Sequence, residues 1–481
     1  MSVIQKAVQQ GSWLAAFKGA TQLISWAATI IIARILVPDD YGLMDIATVL
    51  TGYASLFSEL GLGAAIIQKK DTGQQAVSSV FWFTLMIGLF FGLLCFLLAH
   101  PTAVLFNEPR VIPLTRSVSL IFIINGLSIV PLNLMKKQLN FKMIGGIEML
   151  SGLGSCLGMM GMAYLGCGVW TLLFGYVIRG TIKLVLLFSL QKWTPDLSFS
   201  IGSVKVFLNF GILVAVGRTF RYIVERADIF FAGMVWSTAH LGYYSFALVL
   251  AKIPTDKIVS LIMQVSFSAF SQLQDDVEQF NRFYLNINKT IALLVLPLFV
   301  GGALVGEELI GVFLGKKWLP IVFLFQMLCL SQIFLAITAV NNHVHTALGR
   351  PSWSMWYNAI SAVVMSIGFY VSVRHGLKAI LIPWLTVFPI LCICFIILTL
   401  IKLKVRFLKY ISIFIVPVTA TGLMAVGVVC AHQVKPYFPV VLSNPAVFLT
   451  FKILIGGFCY SAWLLIFDRS FIKKSYKFLK S

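Results

Sequence analysis

Charge is what this sequence has least of. Asp, Glu, Lys and Arg make up only 11% of its 481 residues, where a soluble domain carries about 25%. Acids are scarcer still, 17 against 37 Lys and Arg. That poverty excludes a water-soluble globular chain. Also missing are a P-loop, a nucleophile elbow and an HExxH helix, so the common signatures of nucleotide-driven and hydrolytic chemistry are lacking, and the chain reads as no enzyme. The eight cysteines form no CxxC pair and lie in or beside apolar runs, which suits buried thiols better than metal ligands or disulfides. His343 and His345 are two apart and would face opposite sides of a helix, so packing roles are expected rather than chelation. Asp275-Asp276 does not complete a DDxxD motif and reads as a solvated helix end, and Asp39-Asp40, following Pro38, as a solvated turn.

What remains is apolar. Hydrophobic residues make up 59% of the chain and the mean hydropathy is +0.93. Runs long enough to cross about 30 Å of hydrocarbon recur throughout. They are continuous rather than alternating, so they predict helices and not a β-barrel. The spans fall near 12–35, 43–66, 79–99, 113–134, 147–166, 168–190, 208–234, 242–264, 288–306, 320–345, 354–374, 376–400, 411–431 and 446–467. The expected fold class is thus an all-α integral membrane protein of about fourteen transmembrane helices, with the first retained rather than cleaved. Connections are short. The longest, 265–288, reads as an amphipathic helix lying on the membrane face.

Twenty Lys and Arg collect on one side of these spans, among them Lys69, Lys70, Lys136, Lys137, Lys402 and Lys404, against seven on the other, including Arg110, Lys316 and Lys317. This bias predicts that both termini are cytoplasmic. The formal net charge of +20 is largely this asymmetry; it implies an anionic inner leaflet as partner and gives no case for nucleic acid. A faint echo runs at an offset of about 200 residues: Ala33-Arg34-Ile35-Leu36 and Asp40-Tyr41-Gly42-Leu43, against Ala232-Gly233-Met234-Val235 and His240-Leu241-Gly242-Tyr243. Six helices separate the copies, which predicts two lobes related by an axis along the membrane normal. The expected division is 1–200, 201–405 and a two-helix remainder, 406–481.

An ionisable group at mid-membrane normally faces a cavity or a partner. The densest cluster is in the seventh span: Arg218, Arg221, Glu225, Arg226 and Asp228. At about 100° per residue, all but Arg226 fall within roughly an 80° arc. Two arrangements satisfy that stripe: intrahelical ion pairs, or the wall of a water-filled cavity. Lys18, Glu59, Lys252 and Asp256 are further candidates, with Lys252 and Asp256 spaced i, i+4; Lys18 and Lys252 could equally snorkel. Arg179 and Lys183 share a face of the sixth span near its cytoplasmic end, and Lys452 in the last span has no evident partner. The inventory leans cationic, and guanidinium groups match phosphate, which suits an anionic, sugar-bearing substrate.

Five motifs in order carry a resemblance. Ile30 to Asp71 reads IIIARILVPDDYGLMDIATVL…FSELGLGAAIIQKKD. Phe141-Lys142-x-x-Gly145-x-Ile147-Glu148 opens the fifth span, and Asp228…Leu241-Gly242-Tyr243-Tyr244 opens the eighth. Phe313-Leu314-Gly315-Lys316-Lys317-Trp318-Leu319-Pro320 precedes the tenth, and Leu348-Gly349-Arg350-Pro351 follows it. Over roughly residues 10 to 350 the chain resembles the bacterial polysaccharide-transport, Wzx-type flippase family, within the multidrug/oligosaccharidyl-lipid/polysaccharide exporter superfamily and nearest its colanic-acid-type branch. It departs at Phe267-Ser268-Ala269-Phe270-Ser271, where relatives often carry a proline, so detail at that loop is not carried over. The resemblance implies two six-helix lobes plus two helices and alternating access in a bacterial inner membrane. It also implies a substrate, an oligosaccharide on undecaprenyl diphosphate, and other polysaccharide-assembly membrane proteins as partners. On that reading Arg218, Arg221, Lys18 and Lys252 contact substrate. Glu225, Asp228, Glu59 and Asp256 pair with them or carry H+ or Na+, with no cofactor and no metal. A lipid II or drug exporter of the same superfamily is the alternative, and a membrane polymerase the more distant one.

Overall fold

In the computed structural model, residues 17, 19, 21–22, 24–59, 66, 73–138, 140–434 and 444–468 are described, and helix is the regular structure of these residues. The chain divides into two compact units, Met1–Gly242 and Tyr243–Ser481.

In the first unit, α1 (Ile24–Ile35) leads into α2 (Pro38–Glu59). Pro38 opens α2 with its ring-fixed φ, acids occupy the first turn, and the Asp40 carboxylate accepts from the Val37 N–H at 3.0 Å. Asp39-Asp40 is thus a helix start, not the solvated turn expected from sequence: proline at the first helical position starts helices as readily as it marks turns. Next come α3 (Gln74–Leu105), α4 (Val111–Val118), α5 (Leu120–Lys137), α6 (Phe141–Tyr164), α7 (Trp170–Leu190) and α8 (Ile201–Val235). Small residues let these helices touch through their backbones, as lipid-embedded helices require. Where α3 crosses α5, a β-carbon on Gly88 would come 2.6 Å from the Phe122 carbonyl oxygen, and one on Gly126 2.8 Å from that of Thr84. The Thr84 hydroxyl donates to the Gly126 carbonyl at 3.1 Å in the same place.

α9 (Thr238–Pro254) carries the chain into the second unit, followed by a wider π turn (Thr255–Val259) and α10 (Ser260–Gln272). α11 (Val277–Leu304) starts at Asp276, whose carboxylate accepts from the N–H groups of Glu278 and Gln279. Residues 265–288 are therefore not a separate helix on the membrane face. They are the end of α10 and the start of α11, and the same polar-apolar alternation serves two consecutive helix ends. The unit continues through α12 (Gly306–Phe313), α13 (Val322–Ala347), α14 (Pro351–Ser372), α15 (Phe388–Leu403), α16 (Phe407–Ser412), α17 (Ile415–Val434) and α18 (Pro445–Phe467).

Three contacts fasten α18. The Lys452 ammonium pairs with Glu308 and lies 4.7 Å from the centre of the Phe448 ring. The Tyr460 hydroxyl donates to the Leu293 carbonyl at 2.6 Å, and Asp468 pairs with Lys289 at 2.6 Å. Lys452 thus has a partly buried partner that its own helix could not reveal. His345 is packed rather than chelating: its Nε2 lies 3.0 Å from the Thr399 hydroxyl, and its ring stacks on Trp353 and Phe395.

Ten of the described helical segments are long and apolar enough to cross a membrane. Their outer faces turn apolar side chains outward, among them Phe90 at 61%, Leu97 at 63% and Phe458 at 75% exposure. Such belts suit lipid and not water. The chain is a multi-pass α-helical membrane protein. Four of the fourteen expected spans are not among the ten. The first span and α8 are described only in part, α2 carries Asp39, Asp40, Asp45 and Glu59, and α9 is short and ends at the π turn.

Candidate functional site

The charged stripe sits beside the line along which α8 packs on α2 within the first unit. The Tyr222 hydroxyl donates to the Val49 carbonyl at 2.7 Å, and its ring lies 6.0 Å from that of Tyr53. Gly52 gives Tyr222 its place: a β-carbon there would overlap the hydroxyl and approach the ring carbon Cζ to 3.1 Å. The Arg226 guanidinium lies 3.8 Å from the Asp45 carboxylate. Towards the end of the helix, Gly233 packs on Phe106 and Ile46. Tyr222, Arg226, Ile229 and Gly233 share an arc of about 60° at about 100° per residue. Arg226, off the charged arc in the sequence, belongs instead to the α2 contact.

About 90° round the same helix lie Arg218, Arg221 and Glu225. Arg221 Nε donates to Glu225 Oε1 at 2.7 Å, yet the two side chains are 70% and 45% exposed. Arg218 is exposed as well. Asp228 closes the stripe with no exposure at all, and its Oδ1 accepts from the Ile229 N–H at 2.8 Å. The intrahelical pair thus lies on an exposed face. Arg221 stands about 30 Å along α8, at 1.5 Å per residue. A guanidinium open to hydrocarbon at that depth costs at least about 2.5–3.5 kcal/mol, so the open face requires water or a polar ligand.

The other expected site residues lie elsewhere. Lys18 is outside the described residues, and only the backbone of Glu59, at the end of α2, is described. Lys252 and Asp256 belong to the second unit. There the Lys252 ammonium lies 5.9 Å from the centre of the Trp384 ring, whose indole N–H donates to the Tyr244 hydroxyl at 2.9 Å. Asp256 is exposed in the π turn.

A second polar group, at the start of α2, has no counterpart in the sequence reading. Arg110 bridges Asp39 and Glu108, at 2.8 Å to each, and the Thr238 hydroxyl donates to Asp39. The Arg110 side chain donating to it holds the Glu108 carboxyl below its ordinary value of 4.5. Asp39 and Arg110 are 71 positions apart, so no local spacing announces the pair; the one available signal was the proline-acid helix start at Pro38-Asp39.

The described architecture is that of a multi-pass α-helical membrane protein with exposed charged side chains on α8. Among solved structures the chain resembles the lipid II flippase MurJ in its inward closed conformation, with a TM-score of 0.76 at 14% identity, covering 95% of this chain and 99% of that one. It also resembles an inward-facing multidrug resistance MATE family transporter of the MOP superfamily, with a TM-score of 0.62 at 14% identity, covering 80% and 94%. The fold is therefore the one shared by MurJ and MATE.

The sequence places the chain more closely. Residues 31–323 match the family described as polysaccharide biosynthesis protein, and the chain belongs to that family. It is 25% identical to the lipopolysaccharide biosynthesis protein WzxC of Escherichia coli K12 over 70% of this chain and 69% of the relative. It is 24% identical to the teichuronic acid biosynthesis protein TuaB of Bacillus subtilis, covering 68% of each. The succinoglycan biosynthesis transport protein ExoT of Rhizobium meliloti is 24% identical, over 96% of this chain and 93% of the relative.

Proposed function

We propose that this protein is a transporter, not an enzyme, that moves an oligosaccharide linked to undecaprenyl diphosphate across a bacterial inner membrane by alternating access. The observation that carries this reading is the exposed pair of guanidinium groups, Arg218 and Arg221, deep along α8. Planar forks at that depth match the oxygens of a diphosphate and hold it away from lipid, while the polyprenyl tail stays in hydrocarbon. Relatives named for lipopolysaccharide, teichuronic acid and succinoglycan biosynthesis support a glycan cargo.

In this reading 1–200 and 201–405 are the alternating lobes, 406–481 is the two-helix remainder, and both termini are cytoplasmic. Lys18 and Lys252 extend the cationic surface. Glu225 tempers Arg221, and Asp228, Glu59 and Asp256 are candidates to carry H+ or Na+. Other membrane proteins of polysaccharide assembly are its expected partners. Deleting the gene should cause a lipid-linked oligosaccharide to accumulate on the cytoplasmic face, and the wild-type gene should clear it. Accumulation of lipid II would instead assign the cell-wall precursor as cargo, and no accumulating lipid-linked glycan would refute the reading.

A further inference from the structure

Three helix ends of the first unit meet at one level. A β-carbon on Gly42 of α2 would collide with the Thr238 carbonyl oxygen, just past the end of α8, and one on Gly168, just before α7, would lie 3.0 Å from Asp40 Oδ1. Inward from that level, at 1.5 Å per residue, Asp45 lies about 10 Å along α2, Tyr176 about 9 Å and Arg179 about 13 Å along α7, and Arg226 about 13 Å back from Val235 of α8. α7 packs chiefly on α5 and α6, whereas α2 packs on α8, so a cleft lies between Tyr176 and Arg179 on one wall and Asp45 and Arg226 on the other. Both walls are polar and open. Tyr176 is 59% exposed, Arg179 is exposed one turn farther on the same face, and the Arg226 side chain, 3.8 Å from Asp45, is 44% exposed. The charges of Arg226, Asp45 and Arg179 all act on the Tyr176 hydroxyl, so the walls face each other. Arg179 has nine residues of α7 before it and eleven after, which puts it at mid-helix, beyond the reach of snorkelling. Its exposure there requires water or a polar ligand.

We propose that this cleft is a sugar subsite: Tyr176 stacks on the sugar that adjoins the diphosphate, Asp45 accepts from its hydroxyls, and Arg226 and Arg179 donate to them. The proposal rests on the lipid-linked cargo reading above. The lining is that of a sugar site and not of a second phosphate site. A sugar ring has an apolar C–H face and a rim of hydroxyls that both donate and accept, so it suits an aromatic face set among donors and an acceptor. A phosphate only accepts, and the Asp45 carboxylate would repel it. Arg226 stands about 7.5 Å beyond Arg221 along α8, so a diphosphate held at Arg218 and Arg221 brings its first sugar to the cleft. Bonds to individual hydroxyls discriminate against a sugar that lacks them more sharply than apolar packing can. The cleft therefore selects the glycan, while the exposed arginine pair holds what all such lipids share.

The test is binding of two probes to the purified full chain: bare undecaprenyl diphosphate, and the lipid-linked glycan extracted from cells lacking the gene. The wild type should bind the glycan-bearing lipid about tenfold more tightly than the bare one. Tyr176→Leu should remove that preference and leave the affinity for the bare lipid within about twofold of the wild type. Tyr176→Phe keeps the ring and should keep most of the preference, and Arg179→Gln should lower it severalfold. Arg218→Ala with Arg221→Ala should weaken both lipids alike. Equal affinity of the wild type for the two probes, an undiminished preference in folded Tyr176→Leu, or an equal loss of both probes in that variant overturns the subsite and leaves the cargo reading standing. If no glycan-bearing lipid accumulates, or neither probe binds, the cargo reading fails and the subsite falls with it.

Discussion

Lys452 and Arg221 are both cations well inside long helices, and their surroundings treat them in opposite ways. Lys452 on α18 is sealed, with 4% of its side chain exposed against 13% for Glu308. Arg221 on α8 also has an acidic partner, yet its side chain is 70% exposed and that of Glu225 45%. A sealed ion pair at this depth is a fastening: each charge has traded water for the other. An open ion pair in a span keeps its solvation only if water or a polar ligand reaches it. Counting charges within spans cannot separate these cases, whereas exposure does.

The contrast can be broken by substitution. Lys452→Ala leaves the partly buried Glu308 carboxylate with only His432, 4.0 Å away, beside it and should cost about 3–5 kcal/mol, read as a large loss of folded, monodisperse protein in detergent. Lys452→Met with Glu308→Gln should recover most of that loss, since replacing both partners leaves no bare charge. Gly52→Ala drives a methyl into the Tyr222 hydroxyl and should cost about 1–3 kcal/mol in thermal unfolding. Tyr222→Phe removes one hydrogen bond, worth about 0.5–1.5 kcal/mol. Arg221→Gln should change stability by less than about 1 kcal/mol, because a solvated pair contributes little. A stability loss at Arg221 as large as that at Lys452 would erase the distinction between the sealed and the open pair.

The smallest expected effect is that of pH on the Arg110 cluster. Glu108 is held below 4.5 in the folded protein by Arg110. Its contribution to stability is therefore complete above about pH 4.5, where an unfolded glutamate is already ionised, and is lost as the pH falls through the lower folded value. Glu108→Gln should flatten that part of the acid dependence of unfolding, and an unchanged acid limb would contradict the hold of Arg110 on Glu108.

Hydropathy made most helices legible, because a bilayer demands long apolar runs whatever the fold. The i, i+4 spacing made the Arg221–Glu225 pair legible as well, since that contact lies within one helix. What spacing could not reveal are partners brought together by packing. Lys452 meets Glu308 from 144 positions away, and Asp39 meets Arg110 across 71. The burial of Asp228 beside exposed Arg221 was equally hidden, because one arc of a helix can turn from open to packed within two turns. At 265–288, polar-apolar alternation describes a surface helix and two consecutive helix ends equally well, and only the turn capped by Asp276 separates them.

The central claim is that the open face of α8 handles cargo and does not hold the fold together. Its most direct test is the double variant Arg218→Ala, Arg221→Ala, assayed for complementation of polymer export alongside its amount of folded protein in the membrane. The account predicts that export is lost while the folded amount equals that of the wild type. Full export by the double variant would contradict it.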